Sequence, residues 1–296
     1  MFPTTDTFGT VIDEVILSLT GQGLTDDIIV SLNSAIDSND LAITVDDSDV
    51  LSRGLIEIDG ELIYISSVAG ATGAIPVWGR GFKGTTAASH LQDAAVHIAP
   101  TWPRSIVGRE INNTIRSLYP TLFVPTATEI TLTADNWQYE LPAACEKVLS
   151  VEWEWGTSQW IKTNAWEVMH LANATDFPSG KAIALGDPLY TGSMLRVKYA
   201  ARPTVFSSEA SVFTTCGLPA SCKDVVVLGT AYRLLPWADA GRAKVDSAEA
   251  NALSSSRPIG AATSIASNLQ KSYLRRLEEE RRALAANYPS QVHYVR

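Results

Sequence analysis

Residues 55–68 read LIEIDGELIYISSV, and they set the character of the first third of the chain. Two runs in which apolar residues alternate with others flank Asp59-Gly60. An Asp-Gly pair accepts the positive φ of a tight hairpin turn, so the stretch predicts two antiparallel strands. Strand-like runs continue on both sides: IIVSL at 28–32, LAITV at 41–45, AIPVW at 74–78 and AAVHIA at 94–99, set apart by Asp, Asn, Ser and Gly clusters. Residues 27–100 therefore predict a small antiparallel barrel or sandwich.

Outside this β region the period changes. Val11, Val15 and Leu19, with Ile12 and Ile16, build one apolar face over residues 7–20 before Gly21 and Gly23, which predicts a first helix. A second is predicted over 103–118, where Ile106, Ile111, Ile115 and Leu118 recur at helical spacing between Pro103 and Pro120. Alternation returns from Glu129 to about Phe206 in ITLTA, WQYELP, KVLSVEWEW, SQWIKT, KAIAL and MLRVKYAARP, with AWEVMHLAN expected as a short helix or turn among them. Residues 220–238 are again helical in pattern, with Pro236 expected to kink or end the helix. A small-residue segment with Asp246 and Glu249 then leads through Pro258 to a final helix. Short, separated helices need one another to be stable. The expected fold is thus α+β: a discontinuous helical bundle from 1–26, 101–123 and 215–296, carrying inserted antiparallel β domains at 27–100 and 124–214.

The 296 residues, 46% of them hydrophobic, suffice for two or three cores. The net charge of -9 argues against a general nucleic-acid binder, because a phosphate-tracking surface could only be local. Charge is also unevenly spread. Residues 1–52 hold ten acids and no Lys or Arg, while 257–296 hold seven bases and three acids; such a split suits head-to-tail electrostatic matching between subunits or with partners. Cys145, Cys216 and Cys222 form no CxxC pair and read as buried free thiols, although Cys216 and Cys222 could close a short loop. The triplets at Asn112 and Asn173 match a glycosylation acceptor, but the N-terminus lacks the basic start of a signal peptide. No apolar run reaches the length of a membrane span, so no membrane partner is expected.

Motifs for chemistry are sparse. Gly79-Arg-Gly-Phe-Lys-Gly84 matches GxGxxG, yet a turn and another strand follow it where a dinucleotide site needs a helix, so a glycine-rich β turn is expected. His90 and His97 are seven apart in a β context, a spacing that sends them to opposite faces, and no HExxH, GxSxG or Cys/His arrangement exists. Asp46, Asp47 and Asp49 lack the glycine and distal glutamate of an EF-hand and read as a solvated turn. No catalytic residue, cofactor or metal is expected. Trp137, Trp153, Trp155, Trp160 and Trp166 crowd into thirty residues and suit a core or an interface; a sugar-stacking platform is the competing reading.

The final helix, in SIASNLQKSYLRRLEEERRALAANYPSQVHYVR at 264–296, places Leu269, Tyr273, Leu277, Leu284 and Tyr288 on one face. Arg275 with Glu279, Arg276 with Glu280 and Glu278 with Arg282 sit at the spacing of ion pairs on the wet side.

Three of these stretches carry a resemblance. VWGRGFKGTTAASH at 77–90 is similar to the Arg-Gly-x-x-Gly-Thr-x-Ala-x-x-His turn of phage virion proteins. ITLTADNWQYELPAACEKVLSVEWEW resembles the strand, Leu-Pro, strand pattern in inserted domains of larger adaptors. YLRRLEEERRALAANYPSQVHYVR resembles the arginine-rich final helix and Tyr/Arg tail of such proteins. Together they resemble the head-to-tail adaptor (neck, or connector) proteins of tailed bacteriophages. The resemblance implies a structural, non-enzymatic virion protein in the neck between head and tail, assembled in the host cytoplasm. It implies a homo-oligomeric ring, a dodecamer, seated beneath the portal protein and extending the channel through which double-stranded DNA leaves. On this reading Arg275, Arg276, Arg281, Arg282, Tyr294 and Arg296 are portal-contact candidates. Trp153, Trp155, Trp160, Arg80 and Phe82 are candidates for contact with a neighbouring subunit or a downstream neck or tail protein. Asp13, Glu14, Asp26 and Asp27 would supply a complementary face or a channel wall that does not grip DNA. A stopper or tail-proximal adaptor, and a carbohydrate-binding or wall-degrading virion protein, are the competing readings.

Overall fold

The computed structural model describes residues 6–20, 28–47, 49–156, 159–186, 191–242 and 261–289. They fall into two compact units, one drawn from 1–113, 208–210 and 226–270, the other from 114–207, 211–225 and 271–296. The fold is α+β, with four antiparallel sheets among the described residues. Asp26, Asp27, Asp246, Glu249, Tyr294 and Arg296 lie outside the described residues.

The first unit begins with α1 (Phe8–Thr20), which buries Phe8, Val11, Ile12 and Val15. The Thr7 hydroxyl accepts from the Thr10 N–H at 3.3 Å and the Thr10 hydroxyl from the Thr7 N–H at 2.9 Å, satisfying donors that a helix start leaves open. Seven strands follow: β1 (Ile28–Ser31), β2 (Ala42–Thr44), β3 (Gly54–Ile58), β4 (Glu61–Ile65), β5 (Ser67–Ala69), β6 (Thr72–Ala74) and β7 (Ala95–Ile98). They make a four-stranded sheet in the order β1-β7-β3-β4 and a three-stranded sheet in the order β2-β6-β5. One core joins the two, in which Ile43 of β2 meets Ile56, Ile58, Ile63, Ile65, Val96 and Ile98. The β3–β4 hairpin has its predicted turn, with φ of 47° at Asp59 and 83° at Gly60, both positive as a tight two-residue hairpin turn requires. AIPVW, expected as a strand, is not one: pairing ends at Ala74, and Pro76, with no N–H to give a ladder, opens a turn.

The helix α2 (Arg104–Leu118) starts on this hairpin. Glu57 of β3 is buried, and its carboxylate accepts from the backbone N–H groups of Arg104 (2.8 Å) and Ser105 (2.9 Å). A strand side chain thereby caps the positive end of a helix 47 residues later. α1 lies against α2 where Gly108 leaves room, since a Cβ there would sit 3.2 Å from Phe8 Cζ. Arg104 ties the pair, donating to Asp13 of α1, to the Gly9 carbonyl and to Glu209 (2.7 Å).

The second unit holds β8 (Val124–Thr131), β9 (Gln138–Glu140), β10 (Lys147–Trp155), β11 (Gln159–Thr163), β12 (Trp166–His170), β13 (Lys181–Leu185) and β14 (Met194–Ala201). These again form sheets of four and three, β11-β10-β14-β8 and β12-β13-β9, around one core that includes Tyr139, Val151, Ile183, Leu195 and Val197. AWEVMH is strand β12, not a helix or turn. Trp166 and Val168 pack on the core, and the strand pairs with β13 along its whole length. Its inward positions alternate with period two, which a single short run does not distinguish from a helical turn.

Among the described residues two more helices follow, α3 (Lys223–Arg242) and α4 (Ala261–Asn287). Expected to kink or end at Pro236, α3 does not end there but runs on to Arg242. Within the first unit, Arg233 of α3 lies 3.9 Å from Glu110 of α2.

Replacing Glu57 with Ala orphans two partly buried N–H donors, so urea unfolding should show a loss of roughly 2 kcal/mol from the first unit. Glu57→Gln, which keeps one acceptor oxygen, should lose less. Equal stability of Glu57→Ala and the parent chain would show that the cap contributes nothing.

Candidate functional site

In the first unit a loop of residues 76–90 folds over the β4 edge of the sheet. Its centre is Glu61, whose side chain is 1% exposed. Arg80 donates to it through Nε (2.9 Å) and Nη2 (3.0 Å), and the backbone N–H groups of Gly81 (2.9 Å) and Ala88 (3.0 Å) add two more bonds. His90 closes the ring, with Nε2 2.9 Å from Glu61 and Nδ1 2.9 Å from Asp59. Arg80 also donates to the carbonyls of Asp37, Asp40 and Ala88. Burial pushes the Glu61 carboxyl up, but the bonds from Arg80, Ala88, Gly81 and His90 outweigh it and hold it at about 2.

This explains the GxGxxG spelling. The loop does cradle an anion with backbone N–H groups, and that anion is the protein's own Glu61. Gly79 is required by close approach, because a Cβ there would lie 2.8 Å from Pro76 Cδ and 2.9 Å from the Tyr64 carbonyl. Gly81 is in the left-handed region at φ 56°. The expected glycine-rich turn is therefore present, with a short 3-10 segment at Phe82–Gly84.

The loop displays aromatic surface. Trp78 stacks on Tyr64 of β4 at 5.0 Å between centroids, and Phe82 leans on both at 5.7 and 5.9 Å. Trp78 is 60% exposed and Val77 82%. Arg53, whose Nε donates to the Tyr64 hydroxyl at 3.3 Å, and Lys83 are exposed beside them. Arg80 itself is buried, so of the two sequence-derived candidates here Phe82 belongs to the aromatic cluster and Arg80 holds the loop in shape. Sequence reasoning passes over Glu61, Tyr64 and Trp78. The available signal is a Glu beginning an otherwise apolar strand directly after Asp-Gly.

The tryptophans of the second unit do not share one surface. Trp153 and Trp155 lie on the same side of β10 and meet edge to face at 5.2 Å; Trp153 packs on the core and Trp155 is exposed. Trp160 pairs with Glu154 and so belongs to the opposite face, where the Arg196 guanidinium covers its ring at 3.7 Å. Glu129 in turn accepts from Arg196 at 2.7 and 2.9 Å. A flat sugar platform combining Trp155 and Trp160 is not formed.

Within the second unit, α4 docks on the turn that precedes α3. Tyr273 is buried and Leu277 half-buried. Glu280 accepts from the Ser221 hydroxyl (3.0 Å) and from Arg276 (2.9 Å), and Arg276 also reaches the Ser221 carbonyl and Glu279. Glu279 thus pairs with Arg276 where Arg275 was expected, while Arg281 and Arg282 both donate to Glu278. The bonds from Arg281 and Arg282 hold Glu278 at about 2. Arg275, Arg281 and Arg282 remain exposed. The cysteines are free and buried. Burial, with Glu280 adding to it, pushes the Cys222 thiol up to about 12, and burial pushes Cys145 to about 11, so neither is a reactive thiolate at neutral pH. Among the described residues no group of His, Cys, Asp or Glu is arranged for a metal, and no helix is long and apolar enough to cross a membrane.

Because the Glu61 carboxyl lies below its ordinary 4.5, its contribution is complete above that pH and disappears as pH falls toward about 2. Glu61→Gln leaves Arg80 buried without its counter-charge and should cost about 3 kcal/mol or more at neutral pH. The gap between parent and variant should close on acidification across that window; a gap independent of pH would rule out the charge as its source.

No curated protein matches this chain. A family model described as SU10 adaptor protein matches residues 85–289, well over half of the chain. The matched span opens inside the loop held by Glu61 and takes in α2, the seven strands of the second unit, α3 and α4. This chain belongs to the SU10 adaptor protein family of phage head-to-tail adaptors.

Proposed function

We propose that copies of this chain form a closed ring, a dodecamer, beneath the portal protein and extend the channel through which double-stranded DNA leaves the head. The family match over 85–289 carries this reading. Its mechanism is assembly without turnover: each subunit offers different patches to its two neighbours, and such heterologous contacts close into a ring when the rotation is right. The helices, gathered as a discontinuous bundle from 1–26, 101–123 and 215–296, would form the ring wall, with the β domains at 27–100 and 124–214 facing the neighbour or the tail. Asp13 and Glu14, with no base before Arg53, give the N-terminal part an acidic character suited to a conduit that must not hold its cargo.

Portal contact is assigned to the basic face of α4 and the residues after it. Arg275, Arg281 and Arg282 are the accessible members; Arg276 is engaged with Glu279, Glu280 and Ser221 and acts by fixing the helix. Tyr294 and Arg296 complete the set from the sequence. Phe82, on the loop that Arg80 shapes, and Trp155, exposed at the end of β10, are assigned to contact with a neighbouring subunit or a downstream neck or tail protein. Trp153, packed on the core beside Trp155, and Trp160, on the opposite face beneath Arg196, complete the candidates from the sequence.

Quantitative peptide mass spectrometry of purified virus particles tests the reading. A ratio of this chain to portal protein near one is expected; absence from the particle removes the adaptor role, and a large excess moves the chain to the tail or the capsid surface. Arg281→Glu combined with Arg282→Glu should weaken portal binding by roughly tenfold or more while leaving the fold intact. Unchanged binding would remove the arginine face from the contact, and unchanged binding after deletion of 289–296 would remove the tail.

A further inference from the structure

We propose that neighbouring copies in the ring meet through the two opposite edges of the four-stranded sheet of the first unit, the aromatic loop of one copy lying on the β1 edge of the next. The inference rests on the ring reading and names its contact. The sheet order β1-β7-β3-β4 puts β4 and β1 at opposite edges. Four strands span about 14 Å between these edges, and the Asp46 N–H donates to the Ser31 carbonyl at 3.1 Å at the end of β1.

The edges differ in a complementary way. At the β4 edge the backbone is already used: the Tyr64 N–H donates to the Gly79 carbonyl at 2.8 Å, and the Leu62 N–H to the Thr85 hydroxyl at 3.1 Å. What that edge presents is Val77, Trp78, Tyr64 and Phe82 flanked by Arg53 and Lys83. The cluster is rigid, since Glu61 and Arg80 anchor its loop from below. Rigid aromatic groups with a cationic border are typical anchors of protein contacts.

At the β1 edge, Ile28 is 44% exposed and Ile29 58%. Asp46 accepts from the Ser31 N–H at 2.9 Å, which sets the acidic turn of Asp46, Asp47 and Asp49 beside this strand. All three aspartates are exposed, and no Lys or Arg precedes Arg53. Ile28 and Ile29 alternate between the two faces of β1, so this edge offers an exposed isoleucine to either side, and its acidic border matches the basic border of the aromatic strip. Two copies cannot use the same edge on each, because loop on loop would oppose Arg53 and Lys83 with themselves, and β1 on β1 would oppose the aspartates. Charge therefore selects the heterologous pairing, which a ring requires.

Complementation between two damaged full-length chains tests this. Trp78→Glu disables the loop and Ile29→Glu the β1 edge, both at exposed positions. Native mass spectrometry after carbodiimide cross-linking reads the oligomers. The parent chain should give a ladder ending at the closed ring, and each variant alone should stay monomeric. An equimolar mixture should stop at the heterodimer, in which one intact loop meets one intact edge and nothing can be added. The heterodimer also shows that both variants fold. A mixture that stays monomeric while the parent chain forms a ladder overturns the contact, as does either variant forming the parent's ladder; both results leave the ring reading standing. A parent chain that gives no ladder, in solution or in cross-linked virus particles, overturns the ring and this contact together.

Discussion

The first unit depends on two buried carboxylates carried by one hairpin. Glu57 and Glu61 flank the Asp59-Gly60 turn, and both are almost wholly withdrawn from water. A buried charge is tolerated only when it is fully bonded, so each glutamate must gather donors. Glu57 gathers the first N–H groups of α2 and thereby fixes where that helix begins. Glu61 gathers Arg80, two backbone N–H groups and His90, and thereby fixes a loop with little regular structure of its own. One strand pair thus positions a helix on one side and a display loop on the other.

This arrangement suits a protein whose task is contact. A loop tip bearing Trp78 and Phe82 would lose conformational freedom on binding if it were soft, and that loss would oppose association. Anchored by Glu61, it is ordered before any partner arrives. The same logic applies in the second unit, where Arg276 and Glu280 fasten α4 to the turn before α3 and leave Arg281 and Arg282 to the surface. Interior charges build shape, while Arg281 and Arg282 stay exposed and pair with Glu278 on their own helix.

Much of the fold is legible in the sequence, and the exceptions have physical causes. KVLSVEWEW is a strand from its first to its last residue, and the Asp-Gly hairpin has its positive φ values, because both follow from local pattern and turn chemistry. Pro236 does not stop α3, and AWEVMH is a strand because it pairs with β13 along its whole length, a partner that its own short pattern does not reveal. The site is less legible. Arg80 and Phe82 stand out in the sequence, yet they have opposite roles, one buried as an anchor and one displayed. The tryptophan-rich stretch reads as a single cluster, but strand alternation divides it between two faces.

The sequence by itself determined the class of the fold, the order of helices and strands, the glycine-rich turn and the uneven charge, since these depend on period, turn residues and composition along the chain. Tertiary structure alone decided that Glu57 caps α2, that Glu61 is the anion held by the glycine loop, and that Glu280 and Arg276 of α4 meet Ser221. Each is a choice among several acids and donors whose distance in sequence says nothing about their distance in space. The electrostatic demand of burial makes that choice, and burial exists only once the sheets have closed over their cores.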